Sequence, residues 1–195
     1  MTSHTKVAKS IHWSFIILYC YGIFKQVDDI SQLEDSGLLI FEVIFASVFL
    51  AIVIMRFFYM RRFDNFLGAQ VPVHRVHRFI GKTVHISMYL CLILLPLSGL
   101  IIAGLFTRGI KDGWMQEVAL GLHEFSAGLS YVLIATHVSA AIYSRIKGEG
   151  VWSAMVPILK EDGPSKNEIV MKISKFENEV YNRIDEFITS KSTKE

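Results

Sequence analysis

The sequence predicts an all-α membrane protein: a transmembrane four-helix bundle followed by a cytoplasmic amphipathic helix near the C-terminus. Hydrophobic residues make up 52% of the 195 residues, and the mean hydropathy is +0.40. The charged residues are segregated, which leaves four long apolar runs, each close to the roughly 20 residues that cross a bilayer. We therefore predict a membrane domain over residues 1–158 and a cytoplasmic tail over residues 159–195, with the lipid bilayer as the main surroundings and no nucleic-acid partner.

The predicted spans follow the apolar runs 10–27, 37–55, 79–107 and 122–143. Lys25 lies near the end of the first run, where a long basic side chain is expected to snorkel outward. An acidic link, 28–35, joins the first two spans, and a connection rich in arginine and histidine, 59–82, joins the second to the third. The last span follows a short loop, 108–116.

Lysine and arginine are concentrated before the first span, between the second and third, and after the fourth. Because positively charged flanks stay on the cytoplasmic side, both termini are predicted to be cytoplasmic. This orientation puts His12, His85 and His137 toward the inner face of the membrane and His123 toward the outer face.

The last span carries two histidines on one helical face. His137 follows His123 by fourteen residues, which in a helix corresponds to a rotation difference of about 40° and a rise of roughly 21 Å. Two imidazoles near opposite membrane faces suit a helix that holds haem iron at one or both ends. A haem between two helices needs one axial imidazole from each, and His12 in the first span matches His137 in depth. The alternative for each histidine is a hydrogen bond across helices or to a backbone carbonyl.

Other residues are candidates for contacts around a haem. The sequence contains no Cys-x-x-Cys-His motif, so any haem is predicted to be non-covalent. His85 is a candidate to hydrogen-bond a haem propionate or a quinone, or else to be a core histidine. Arg75 and Arg78 are candidates to neutralise propionates, as is Lys82. The neighbouring His74 and His77 are expected to be solvated or to face lipid headgroups.

The tail is predicted to contain an amphipathic helix over residues 165–190. The run 165–168 has the form of a capping box. Apolar residues then recur every three or four positions, which is helical periodicity: Ile169, Ile173, Phe176, Val180, Ile184 and Phe187. One interpretation is a helix that lies on the bilayer or folds back on the bundle, and the other is a docking helix for a soluble redox partner.

The sequence contains four short motifs, which are Ser10-Ile11-His12-Trp13, Leu95-Pro96-Leu97-Ser98-Gly99, the pair His123-Glu124 with His137, and Met155-Val156-Pro157. Together they resemble motifs of the prokaryotic cytochrome b561 family. The resemblance covers about residues 6–158 and is specific in combination. The four-span b-type subunits of hydrogenases and formate dehydrogenases share this histidine layout.

The resemblance implies two haems b, one held by His12 and His137 and the other by a second-span histidine and His123. Here the sequence departs from the family pattern. Arg56 matches the arginine that closes the family's second span, and counting back from it puts Glu42 where the histidine is expected. No histidine occurs from residue 29 to residue 73. Three alternatives follow: the outer haem is absent and Glu42 pairs with His123 or another polar group, the haem is held by His123 alone or with an oxygen ligand, or another residue has replaced the histidine.

The family also implies a function, which is to move electrons between a quinone pool and a redox partner through haem b in the bacterial inner membrane. Quinone is then the substrate and binds near a haem. One branch of the family oxidises superoxide and reduces ubiquinone, but it uses the outer haem, so Glu42 argues against that activity. The rival interpretations are an electron-transfer subunit that docks a soluble enzyme through residues 165–190, and a haem-less membrane protein of the same fold.

Overall fold

The structure, a computed structural model, describes residues 5–27, 29–62 and 74–192, with side chains as far as residue 187. The described residues contain a short 3-10 helix, Ile30–Glu34, and these α-helices: α1, Lys6–Phe24; α2, Ser36–Met60; α3, Arg75–Thr107; α4, Trp114–Lys147; α5, Val151–Met155; and α6, Glu168–Ser192. Asp28 of the acidic link and residues 63–73 of the basic connection lie outside the described residues. The all-α prediction is confirmed.

Helices α1 to α4 are long and apolar enough to cross a membrane, so the four predicted spans are confirmed. Their ends differ from the predicted ones, most of all for α4, which begins at Trp114 and not near residue 122. An apolar run marks only the part of a helix that matches the hydrocarbon core, whereas backbone hydrogen bonding continues into the polar flanks. The start of α2 is set locally, because the Asp35 carboxylate accepts hydrogen bonds from the backbone N–H groups of Gly37 and Leu38.

The described residues fall into two compact units. One, here called the span unit, comprises the described residues of 6–62 and 86–134. The other, the tail unit, comprises those of 63–85 and 135–195 together with Thr5. The division of the sequence at residue 158 into membrane domain and tail stays a prediction.

Within the span unit, each of the four long helices packs side chains against at least one other. The Tyr19 hydroxyl of α1 and the Ser130 hydroxyl of α4 are 2.7 Å apart. The rings of Phe15 and Phe49 pack between α1 and α2 with centroids 5.3 Å apart. A small apolar core closes the end of the unit near the 3-10 helix; its buried members are Leu33, Ile102, Phe106 and Ala119. Many outward apolar side chains remain exposed, as expected of helices that face lipid.

In the tail unit, the chain turns sharply after α4 and returns along it. Gly148 has φ +72°, and a Cβ at this position would overlap the Gly163 carbonyl oxygen, so only glycine allows this close approach. The Ser165 N–H then donates to the Lys147 carbonyl at 2.9 Å. The Glu161 carboxylate accepts from the Gly150 and Ser153 N–H groups at the start of α5.

The predicted capping box at 165–168 is wrong in its register. Helix α6 begins at Glu168, and the Asn167 side-chain oxygen accepts hydrogen bonds from the N–H groups of Ile169 and Val170 in its first turn. Asn167 is a preferred N-cap residue in its own right. Ser165 instead accepts from the Asn167 N–H, at 3.3 Å.

Candidate functional site

The first candidate ligand, His12, is hydrogen-bonded to an arginine. In the span unit, Nη2 of Arg56 on α2 lies 2.7 Å from Nδ1 of His12 on α1. A guanidinium group can only donate, so Nδ1 must accept this bond. A neutral imidazole carries one proton, which in this arrangement is on Nε2.

Arg56 itself is buried, with 8% of its surface exposed. Its guanidinium lies 4.9 Å from the ring centroid of Phe15 and 5.6 Å from that of Tyr89. Its Nε atom is buried without a hydrogen-bond partner among the described residues, and none of their carboxylates forms an ion pair with it. A buried cation without an anion is unfavourable. The residues at this end of α1 and α2 therefore fit a bound group that supplies a negative charge.

The second candidate ligand, His137, lies beside another candidate in the tail unit. The rings of His137 on α4 and His85 on α3 have centroids 4.9 Å apart and planes at 80°. Nδ1 of His85 lies 2.6 Å from the Gly81 carbonyl oxygen, so this nitrogen donates and the ring orientation is fixed. The tail unit thus brings two of the predicted site residues together. His12 belongs to the span unit, and its pairing with His137 stays a prediction.

His123, the candidate outer ligand, is oriented by α3 within the span unit. Its Nδ1 is 3.1 Å from the Ser98 hydroxyl oxygen, and that hydroxyl also lies 2.8 Å from the Leu94 carbonyl oxygen. When the hydroxyl donates to the carbonyl, the Nδ1–H of His123 donates to the hydroxyl, and Nε2 is left with its lone pair. The ring packs closely on Gly99, where a Cβ would meet Cε1 of His123 at 3.4 Å, an ordinary contact distance.

Glu42 is paired with Lys25 across α1 and α2 in the span unit. The Lys25 ammonium donates to Oε1 of Glu42 and lies 4.5 Å from the centroid of the Phe45 ring. The side chains of Lys25 and Glu42 are only 14% and 22% exposed. The expectation that Lys25 snorkels outward is therefore wrong, because the carboxylate and aromatic rings hold its ammonium within the unit.

The outer residues do not fit a haem with two imidazole ligands. Glu42 supplies a carboxylate, and an ammonium already neutralises its charge. A carboxylate engaged in this way is a poor donor to iron compared with the lone pair of an imidazole. His123 alone retains the orientation of a ligand.

The basic candidates at the start of α3 have different surroundings. Arg75 is exposed, and the backbone N–H of Arg78 donates to the carbonyl of His74, which directly precedes α3. The expectation that His74 and His77 are solvated is wrong, because both are half-buried against α6; whether they also face headgroups stays a prediction. His74 stacks on the ring of Tyr181 of α6 at 5.4 Å and 17°, and the ring of His77 meets it edge-on at 5.9 Å.

These histidines belong to a polar cluster that holds α6 within the tail unit. At its centre, the Glu177 carboxylate accepts from the Lys147 ammonium at 2.8 Å and from the Tyr143 hydroxyl at 3.0 Å. It also lies 3.5 Å from Nδ1 of His77. Burial opposes the charged form, but hydrogen bonds from Lys147, Tyr143 and Tyr181 hold the pKa of Glu177 below its ordinary value. Burial and the bond to Glu177 raise the pKa of Tyr181 to about 12.

The sequence alone did not identify three partners in these sites: Arg56 as a contact of His12, Lys25 as a contact of Glu42, and Glu177 as the anchor of α6. For Lys25 and Glu42 a signal was present, since two opposite charges in adjacent apolar spans are expected to pair. For Glu177 no signal exists, because it occupies an ordinary polar position of an amphipathic helix.

Comparison with known proteins adds one finding. The family model of prokaryotic cytochrome b561 matches residues 3–157, a range that includes α1 to α4 and every candidate site residue. Comparison with curated proteins and with solved structures gives no match.

Proposed function

This chain belongs to the prokaryotic cytochrome b561 family, and from that premise we propose that it transfers electrons between a quinone pool and a redox partner through haem b. Membership of this family implies that the chain is a membrane b-type cytochrome that functions in electron transport. The quinone substrate, the haem count and the orientation with both termini cytoplasmic in the bacterial inner membrane are parts of the proposal. The observation that carries it is the family match over all four spans, together with histidines in α1 and α4.

His12 and His137 are the proposed axial ligands of an inner haem. Both lie in membrane-spanning helices, and their predicted depths match. When bound, haem supplies a one-electron Fe(III)/Fe(II) couple, while the protein sets its ligation, burial and access. His85 fixes its own ring through Gly81 and contacts the ring of His137, which supports a role in orienting that ligand. Arg75 and Arg78 remain proposed partners of propionates.

A single haem is proposed, since the outer position lacks a second imidazole. The ion pair of Lys25 and Glu42 supports this choice. The superoxide-oxidising activity of one branch of the family is not proposed, because it requires the outer haem.

The proposal is tested by purifying the full chain in detergent and mixing it with a quinol analogue in a stopped-flow spectrometer. The expected result is a Soret band that shifts as the quinol reduces the haem, and the loss of that band in His12→Ala. A colourless protein would contradict the proposal and favour the haem-less alternative. A haem that dithionite reduces but quinols do not would contradict the quinone part.

A second candidate function is favoured by the surface of α6, which would dock a soluble redox enzyme. Ile169 and Phe176 are each 68% exposed and Phe187 is 65% exposed. The side of α6 that contacts the rest of the tail unit is the one with Glu177 and Tyr181, so the predicted apolar stripe is left on the surface. An exposed apolar stripe on a helix is typical of a helix-in-groove interface.

This candidate is tested by co-purification. Phe176→Glu with Phe187→Glu is expected to remove a stably bound soluble subunit. Asn178→Glu with Asn182→Glu is the matched control, since it adds the same charge to the opposite face of the same helix. Retention of the subunit by both double variants, or absence of any subunit from the wild type, would exclude docking through this stripe.

A further inference from the structure

We propose that Arg56 is a cofactor-binding residue: its guanidinium pairs with a propionate carboxylate of the inner haem and leaves His12 when the haem binds. This inference rests on the proposed function, because it requires a haem beside His12. It concerns a residue that the sequence marked only as the end of the second span.

The first argument is charge. Arg56 is buried between the rings of Phe15 and Tyr89, and its Nε has no partner among the described residues. Such rings partly offset the charge of a guanidinium but do not neutralise it. The acidic residue of the same helix, Glu42, is fourteen positions earlier, about 21 Å along the helix axis, and is already paired with Lys25. The site therefore has an unmet requirement for an anion, and carboxylates are the anions that a b-type haem carries.

The second argument is hydrogen bonding. Arg56 now donates to Nδ1 of His12. A neutral imidazole that binds iron through Nε2 carries its proton on Nδ1, so Nδ1 then becomes a donor. Two donors cannot share this contact, and ligation by His12 through Nε2 must release the guanidinium. The released group needs an acceptor within its reach, and a propionate is an acceptor that arrives with the iron.

The two possible roles of Arg56 predict opposite results when it is removed. If Arg56 only holds His12 in the haem-free protein, Arg56→Met frees the ligand and slows haem loss or leaves it unchanged. If Arg56 binds a propionate, Arg56→Met speeds haem transfer to excess apomyoglobin. The expected increase in rate is roughly 10- to 100-fold, the usual range for losing a charge-assisted hydrogen bond. Arg56→Lys keeps the charge, and its rate of haem transfer is expected to lie between those of the wild type and Arg56→Met.

Arg61→Met is the matched control, because Arg61 lies one position beyond α2 and is exposed. It is expected to leave the transfer rate unchanged. The decisive experiment uses the same protein reconstituted with haem dimethyl ester, in which both propionates are methyl esters and carry no charge. With the ester, Arg56→Met and the wild type are expected to lose the cofactor at about the same rate, because the bond between the guanidinium and a charged carboxylate is then missing from both proteins.

The outcomes separate this inference from the proposed function. A wild-type protein without a Soret band overturns the proposed function. A wild type that holds haem, with Arg56→Met losing it no faster, overturns the inference alone. An effect of the same size with native haem and with the dimethyl ester also overturns it, because Arg56 would then act only through the fold.

Discussion

The ion pair between Lys25 and Glu42 provides a direct test of the outer end of the span unit. Replacing Lys25 by Met removes the ammonium and leaves the Glu42 carboxylate only 22% exposed beside the aromatic side chain of Phe45. Replacing Glu42 by Gln leaves Lys25, 14% exposed, without its anion. Each single change is therefore expected to destabilise the fold, and the double change less than the sum of the two.

The magnitude follows from burial. Breaking a fully buried ion pair by removing one partner costs about 3–5 kcal/mol. Because both side chains retain some exposure, we expect about 2–3 kcal/mol for each single variant, reduced from the fully buried value by solvent screening. In Lys25→Met with Glu42→Gln no uncompensated charge remains, so the coupling energy is expected to be about 2 kcal/mol.

The assay is reversible unfolding of the four proteins in bicelles, followed by steric trapping or by loss of helical circular dichroism. The free energies of unfolding form a double-mutant cycle. Additive single effects, with a coupling energy within about 0.5 kcal/mol of zero, would show that the two charges do not stabilise each other and would refute the reasoning.

The remaining predictions concern α6 and the ring of His123. Glu177→Gln is expected to speed hydrogen exchange of α6 amides about 10- to 100-fold, because a neutral amide oxygen accepts a weaker bond from Lys147 than the carboxylate does. Glu179→Gln on the exposed face is the control, and equal exchange in the two variants would contradict this. The same exchange should depend on pH: since the pKa of Glu177 is lowered, its stabilisation is complete above the ordinary carboxyl pKa of about 4.3 and is lost as the pH falls through the lowered value. Although burial opposes its charge, bonds to Glu149 and Glu177 raise the pKa of the facing Lys147, so it stays charged across that range. A wild type that keeps its protection at the lowest pH would refute the assignment. Gly99→Ala should change the free energy of unfolding by less than about 1 kcal/mol, because the added Cβ meets His123 at ordinary contact distance, whereas Gly99→Leu should be clearly destabilising in the same unfolding assay; equal effects would contradict the close packing.

Sequence patterns were sufficient to predict the helices but not the side-chain contacts between them. The apolar runs predicted the four spans, because the length and polarity of a segment decide whether it can cross a bilayer. The contact between Arg56 and His12 depends on which helices are neighbours and how each is rotated. Neither property can be derived from one sequence.

The C-terminal helix is a second case in which the sequence predicted an element but not its contacts. Its apolar periodicity predicted a helix correctly, but it left open whether the apolar stripe lies on the bilayer, folds back on the bundle or docks a soluble partner. The structure instead holds α6 through the polar residues Glu177 and Tyr181. A cluster of well-placed charged hydrogen bonds can decide which face docks, and periodicity does not detect such a cluster.

The central claim, a haem held by His12 and His137, is tested most directly by counting haem b per polypeptide with the pyridine haemochrome method. The samples are the wild type, His137→Ala and His123→Ala, each checked for folding by circular dichroism. We expect about one haem in the wild type and in His123→Ala, and almost none in His137→Ala, since an axial imidazole supplies much of the attachment of a non-covalent haem. Full haem content in His137→Ala would contradict the account.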